Sequence, residues 1–222
     1  MEAVSELHHQ VSFRRATLAD REKVREFLAH SFYPEEPVTI SYIGGSEVTP
    51  DDMEFCLSLI AEGFVLLALV GGEDQLVGIS GAGVIDSDES EKLKDIALKT
   101  ETTKFGEILR MLSYVCEQAN VCQRFGISEV YHQHYLAVDS KFRGKALGKL
   151  LMEKQFGKAR DLGLRVVTTD ASGVYSSNLC EKLGMQCVYS LAYNEYRNEL
   201  GQQVFKSSGQ HKEIKTFAKQ IE

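Results

Sequence analysis

Between Leu136 and Leu151 a strand-like run passes through a polar turn into a loop that opens an amphipathic helix. Leu136, Ala137 and Val138 end the strand, and Asp139-Ser140-Lys141-Phe142 makes the turn. Arg143-Gly144-Lys145-Ala146-Leu147-Gly148 leads into the helix. This order of elements constrains the fold more than anything else in the chain. A glycine-containing loop lets backbone N–H groups converge on one spot, and the helix N-terminus adds its positive end. Arg143 and Lys145 add charge, so a pyrophosphate is the natural guest. An alanine at 146 keeps its N–H in the cradle provided its φ stays negative.

Two common phosphate-binding folds do not fit. A dinucleotide site needs G-x-G-x-x-G early in a βαβ unit, and a P-loop needs G-x-x-x-x-G-K-[ST]. The chain has neither, and its cradle comes late, after a long series of strands and helices. The net charge of −7 argues against a nucleic-acid partner. The longest apolar run, Phe64 to Val70, is strand-sized, well short of the roughly 20 residues that span a bilayer. Residues 1–10 are polar and lack the pattern of a signal peptide. We therefore expect a cytoplasmic protein with no membrane partner. One domain should fill residues 1–222, with 1–10 as a flexible arm. Cys56, Cys116, Cys122, Cys180 and Cys187 are odd in number and lack paired short spacing. They read as reduced, mostly buried thiols rather than a disulfide framework or zinc site.

Strand and helix patterns alternate along the chain, which predicts an α/β (α+β) protein. Val11–Ala16 reads as a strand. Thr17 with Asp20 resembles a capping box ahead of a helix bearing Val24, Phe27 and Leu28 on one face. Glu35, Glu36 and Pro37 fall in a loop. A helix starts at Thr49-Pro50. Phe64–Val70 and Leu76–Ile85 form a hairpin turning through residues 71–74. Residues 86–103, acidic and lysine-rich, read as a mobile surface stretch. Residues 105–125 read as a helix, Val130–Val138 as a strand and 145–162 as a helix. Strands at 164–168, 187–193 and 203–206 and a helix at 175–183 complete the pattern. His132 and His134 alternate on a strand and face one way. With His8 and His9 they make no coherent metal set, and no metal is expected.

The segment Arg143 to Gly148 resembles the [RQ]-x-x-G-x-[GA] motif of the GNAT superfamily of N-acetyltransferases, with Ala146 where glycine is usual. Asn178-Leu179-Cys180-Glu181-Lys182-Leu183-Gly184-Met185, about 30 residues later, is similar to that superfamily's Asn…Tyr-Glu-Lys-Leu-Gly-Phe helix. The resemblance implies a GNAT fold: a mixed, twisted sheet of about seven strands, splayed between two parallel strands and flanked by helices. It implies acetyl-CoA as co-substrate, held by Leu136, Ala137 and Val138, by residues 143–148 and by Asn178. The pantetheine arm would pair with the Leu136–Val138 backbone. Cys180 stands where the superfamily often has a tyrosine acid. It reads as a buried thiol rather than a nucleophile.

Phe32-Tyr33-Pro34-Glu35-Glu36-Pro37-Val38 is similar to a loop of the insect-type arylalkylamine N-acetyltransferases. Ser172 and Ser176, and Val204-Phe205-Lys206 with His211, also match that family in order. The implied activity is direct acetyl transfer to a small primary amine such as dopamine, serotonin, tryptamine or octopamine. An alkylamine with a pKa of ~10.4 is about one part in a thousand neutral at pH 7. Removing its proton there costs about 4 kcal/mol, so a base is required. The resemblance assigns Glu36 as that base, acting through water, with Glu35 drawing in the cation. The alternative is that both are solvated loop charges. Ser172 and Ser176, four apart near a helix start, could share a face as a proton relay, or cap the helix. His211 could join the relay or order a loop. Tyr33 and Tyr175 could line the amine pocket, as could Phe32, Tyr42 and Tyr189, or all could serve the core. Rival readings are a polyamine, agmatine-like or protein N-terminal acetyltransferase, and a non-catalytic acetyl-CoA sensor or scaffold. A monomer is expected, with a dimer as the alternative.

Overall fold

The computed structural model describes residues 11–71 and 75–222. The expected N-terminal arm and most of the turn at 71–74 lie outside these. Seven strands form one sheet in the order β1-β2-β3-β4-β5-β7-β6. They are β1 (Ser12–Arg15), β2 (Leu66–Val70), β3 (Gln75–Asp86), β4 (Glu129–Val138), β5 (Val166–Ala171), β6 (Gln186–Ala192) and β7 (Glu213–Gln220). Every neighbouring pair is antiparallel except β4 and β5, which run parallel. Those two strands pair at only three positions, Tyr131–Val167, His132–Thr168 and Gln133–Thr169. Beyond Gln133, β4 continues to Val138 against β3 alone, while β5 continues to Ala171 against β7. The sheet is thus split into a V, the arrangement expected of a GNAT fold.

The helices are α1 (Arg21–Ser31), α2 (Pro37–Ser41), α3 (Pro50–Ser58), α4 (Glu89–Lys99), α5 (Thr103–Ala119), α6 (Val121–Phe125), α7 (Leu147–Asp161) and α8 (Val174–Lys182). In α1, Val24, Phe27 and Leu28 are buried as their spacing predicts, each contributing about 1.5–3 kcal/mol. Asp20 accepts from the Thr17 N–H and from Arg14 in a two-pronged ion pair, which fixes the entry to α1. The Arg14 guanidinium holds the Asp20 carboxyl well below the usual carboxylate range. Helix α7 is anchored by Gln155, which is fully buried and fully bonded. Its amide donates to the carbonyls of Phe64 and Ser80, and its oxygen accepts from Tyr131 and Arg15. A satisfied buried network of this kind holds the helix in one register on β3 and β4.

Four expectations need correction. Residues 86–103 contain α4, whose Leu93 and Ala97 face the core one helical turn apart. Their acidic and basic neighbours form its solvent face. Glu36 and Pro37 are not plain loop, because they open α2. The helix read over 105–125 breaks at Asn120, which takes a left-handed φ of 40° and separates α5 from α6. Residues 203–206 form isolated bridges, Tyr42–Phe205 and Arg197–Gln203, rather than a strand. The closing strand is β7, whose charged residues disguised it.

Candidate active site

The loop that leads into α7 departs from the sequence reading at one position. Asp139 accepts from the Lys141 N–H and shapes a single 3-10 turn, Ser140–Phe142. Gly144 follows with φ 75° and Ala146 with φ 60°. The negative φ expected at Ala146 is therefore wrong. Its left-handed conformation, which glycine adopts without penalty, is what turns the loop into α7. A Cβ built on Gly144 would meet nothing within 4 Å. Leu147, Gly148 and Lys149 form the first turn of α7, where N–H groups lack helical acceptors. A helix N-terminus of this kind is an arrangement that can accept an anion.

The strand leading into the cradle offers a row of donors and acceptors. The Asp139 N–H bonds Val77 of β3, so strand alternation turns the N–H groups of Leu136 and Val138 to the opposite edge. Beyond Gln133 that edge carries no strand partner among the described residues. The Val138 carbonyl on the same edge accepts from Arg143 Nε at 3.0 Å. Arg143 also reaches Glu35, its guanidinium 2.7 Å from Glu35 Oε2. Gly148 sits near Leu136, Val138 and Leu179, so α7 and α8 close on the end of β4. Asn178 is exposed on α8.

Glu36 is the N-cap of α2. Its two carboxylate oxygens accept from the N–H groups of Val38 at 3.0 Å and Thr39 at 2.6 Å. An ionised carboxylate offers about four acceptor sites, so both oxygens keep capacity for a further donor. Pro37, next to it, lies against Gly173. A Cβ built on Gly173 would fall 2.7 Å from the Pro37 ring and 2.3 Å from His211 Nδ1. The absent side chain therefore permits the Glu36 loop, the start of α8 and His211 to meet. His211 Nδ1 accepts from the Val174 N–H at 3.4 Å, so a neutral His211 carries its proton on Nε2. Ser176 Oγ donates to the Gly173 carbonyl and accepts from its N–H, closing the N-terminus of α8. Ser172 precedes the Gly173 N-cap and is not helical, so the shared helical face expected of the two serines does not exist. They stand instead on either side of Gly173.

Tyr175 is exposed, its ring edge-on to His211 at 5.9 Å. Tyr33 points away from solvent. It is 2% exposed and donates its hydroxyl to Asp52 at 3.0 Å. Burial raises the Asp52 carboxyl to about 7, the Glu36 charge adding to the effect while Tyr33 and Lys104 oppose it. Two residues here escaped sequence reasoning. Tyr193 is fully buried and donates to the Ser172 carbonyl at 2.6 Å. Burial and then the Glu36 charge push its hydroxyl well above the ordinary range. Asp52 is one of two acids in the first turn of α3. Only Asp51, which bonds Thr102, stays in reach of the surface.

All five cysteines are free. Cys180 is buried in α8, and burial pushes its thiol up to about 12. It is therefore a neutral thiol at physiological pH, as the sequence suggested. No group of His, Cys, Asp or Glu suited to a metal occurs among the described residues, and none of their helices is long and apolar enough to cross a membrane.

The profile of the acetyltransferase (GNAT) family matches residues 25–185. Among solved structures, a mosquito arylalkylamine N-acetyltransferase-like protein, 5b, is similar at 39% identity and a TM-score of 0.92. The match covers 95% of this chain and 100% of that one. A Drosophila melanogaster polyamine N-acetyltransferase that forms N-acetylagmatine is similar at 35% identity and a TM-score of 0.89, over 95% and 100% of the two chains. An agmatine N-acetyltransferase variant in its apo form is similar at 34% identity and a TM-score of 0.90, over 96% and 100%.

Proposed function

The chain belongs to the acetyltransferase (GNAT) family, and from that premise we propose that it moves the acetyl group of acetyl-CoA directly to a small primary amine of the arylalkylamine type. The observation that carries this is the meeting of the Glu36 loop, His211 and Gly173 beside the split in the sheet. A carboxylate that can take a proton thus stands near the edge of β4, which can hold a thioester.

Acetyl-CoA supplies an activated acyl carbon and a thiolate leaving group. The loop from Arg143 to Gly148 and the first turn of α7 hold its diphosphate. Leu136 and Val138 align its arm through the backbone groups that face the open edge, Ala137 between them holds the strand to β3, and Asn178 faces it from α8. The Val138 N–H, pointing to the unpaired edge, is placed to polarise a carbonyl there. Glu36, fixed by two backbone donors, takes the amine proton through water with little reorganisation. Ser172, Ser176 and His211 border the route by which that proton leaves. Glu35 attracts the incoming ammonium, and Tyr175 offers a ring at the mouth. The buried Cys180 thiol does not form an acyl-enzyme. Free thiols throughout suit a reducing cytoplasm.

A second reading, a polyamine or agmatine acceptor, draws support from the two relatives at 35% and 34% identity that bear those names. Thiol release from acetyl-CoA, measured across aromatic amines, polyamines and agmatine, tests both. Turnover of aromatic amines is expected. Tight acetyl-CoA binding with no turnover of any amine would replace the enzyme with a sensor.

A further inference from the structure

Asp170 lies one residue past Thr169, which makes the last parallel pair with Gln133. It therefore stands at the apex of the V. By strand alternation it shares a face of β5 with Thr168, and both pair across to residues on the same side, Thr216 of β7 and His132 of β4. These four side chains wall a cavity of about 130 Å³ under the C-terminal half of α5, where Cys116 and Glu117 close it. Helix α5 also packs Ile108 and Met111 against Val38 of α2, just past Glu36. The Glu36 loop and the cavity are thus covered by one helix on one side of the sheet.

The polar groups in this cavity are poorly matched to one another. The Thr216 hydroxyl donates to Asp170 Oδ1 at 2.6 Å. The only cationic candidate in salt-bridge range of Asp170 among the described residues is His132, with Nε2 at 3.9 Å. Burial lowers that imidazole to about 4, so it is neutral at physiological pH. The Thr168 hydroxyl, in a residue 3% exposed, has no hydrogen-bond partner among the described residues, and neither does His132 Nδ1. Two rim carboxylates are already paired, Asp86 with Lys92 and Glu117 with Lys94. The inner acceptors, Asp170, Thr168 and His132, therefore ask for a donor-rich, positively charged guest. Burial raises the Asp170 carboxyl to about 6, so it is still mostly ionised at neutral pH, and a cation would hold it so.

We propose that this cavity is a cation subsite, formed by Asp170, Thr168 and His132, that takes the distal ammonium or guanidinium of a dicationic amine while its other nitrogen is acetylated. The subsite rests on the transferase reading and favours its second acceptor class, a polyamine or agmatine, over an arylalkylamine. Asp170 is two residues, about 7 Å of strand, from Ser172 at the Glu36 site, and a short diamine spans a comparable distance. A monocationic arylalkylamine would leave Asp170 without its partner.

The test uses the full chain, acetyl-CoA, and three amines: putrescine, agmatine and phenethylamine. The readout is the ratio of kcat/KM for each dication to that for phenethylamine. Asp170→Asn keeps an acceptor for Thr216 but removes the charge, and it should lower this ratio about 10-fold or more. Thr168→Val should lower it in the same direction. A ratio unchanged in both variants overturns the subsite. Retained acetyl-CoA binding checks that each variant is folded. If the wild type acetylates no amine, the transferase reading fails separately, and calorimetric binding of putrescine decides the subsite. Binding lost in Asp170→Asn supports it, and equal binding overturns it.

Discussion

Arg143 is shared between two loops, its Nε bonded to the Val138 carbonyl at 3.0 Å and its guanidinium to Glu35 at 2.7 Å. One side chain thus ties the anion cradle to the loop that carries the proposed base. A diphosphate in the cradle competes with Glu35 for the same guanidinium. The pair is half exposed, so it is worth at most about 1 kcal/mol. Glu35→Gln should therefore tighten CoA binding by up to about 5-fold while raising the KM for the amine. Arg143→Ala should weaken CoA binding by roughly 10-fold or more, since a charge-assisted bond contributes about 1.5–3 kcal/mol. Calorimetry with CoA measures both. Unaltered affinity in Arg143→Ala would count against the cradle.

Glu36 has two separable roles, cap and base. Glu36→Ala removes both, and Glu36→Gln keeps an oxygen for the cap. The lost cap should cost about 1 kcal/mol, a fall in Tm of about 2–4 °C, in the alanine variant chiefly. Turnover should fall about 100-fold or more at pH 7 in both variants and recover partly at high pH, where more amine is neutral. Thermal melts beside pH–rate profiles separate the roles. A profile in Glu36→Gln parallel to wild type would remove Glu36 as the base.

The loop into α7 was legible because its signal is local, with charge, glycine and helix start inside six residues. The conformation of Ala146 was not, since the demand for a left-handed turn comes from how β4 must swing into α7. The meeting at Gly173 was hidden for another reason. Residues 36, 173 and 211 are far apart in sequence, and what joins them is a missing side chain. Tyr33 was read as a pocket residue because an aromatic beside a functional loop suits either role, and only burial against Asp52 decides it. Helix α4 was obscured because its two core residues, Leu93 and Ala97, are outnumbered by lysines and acids on its exposed side, and strand β7 because Glu213, Lys215 and Lys219 interrupt its apolar residues.

Ala146 holds φ 60° at the start of α7. For a residue with a Cβ this costs about 1–2 kcal/mol. Ala146→Gly should relieve most of it, offset in part by the freedom glycine gains in the unfolded chain. The net expectation is a gain of about 0.5–1 kcal/mol and a Tm higher by about 1–4 °C. CoA affinity should be kept, because the N–H stays in place. A calorimetric scan with and without CoA checks this. A lower Tm would mean that the methyl makes a contact outweighing the strain.

Asp52 makes stability depend on pH in an unusual direction for a carboxylate. Its folded value, about 7, lies above the ordinary 3.8. Folding therefore takes up a proton between these values. The stability contributed by the protonated group is fully present below about pH 4 and is lost as pH rises through 7. The whole effect is on the order of 4 kcal/mol. Asp170, raised to about 6, acts with the same sign over a narrower window. Asp52→Asn keeps an acceptor for the Tyr33 hydroxyl and removes the titration. Urea unfolding at pH 5 and pH 8 should show the variant gaining stability relative to wild type at the higher pH, by about 1–3 kcal/mol. Part of the wild-type slope should survive through Asp170. If wild type and variant lose the same stability between the two pH values, Asp52 is ionised in the folded protein, and its burial behind Tyr33 is less complete than its contacts indicate.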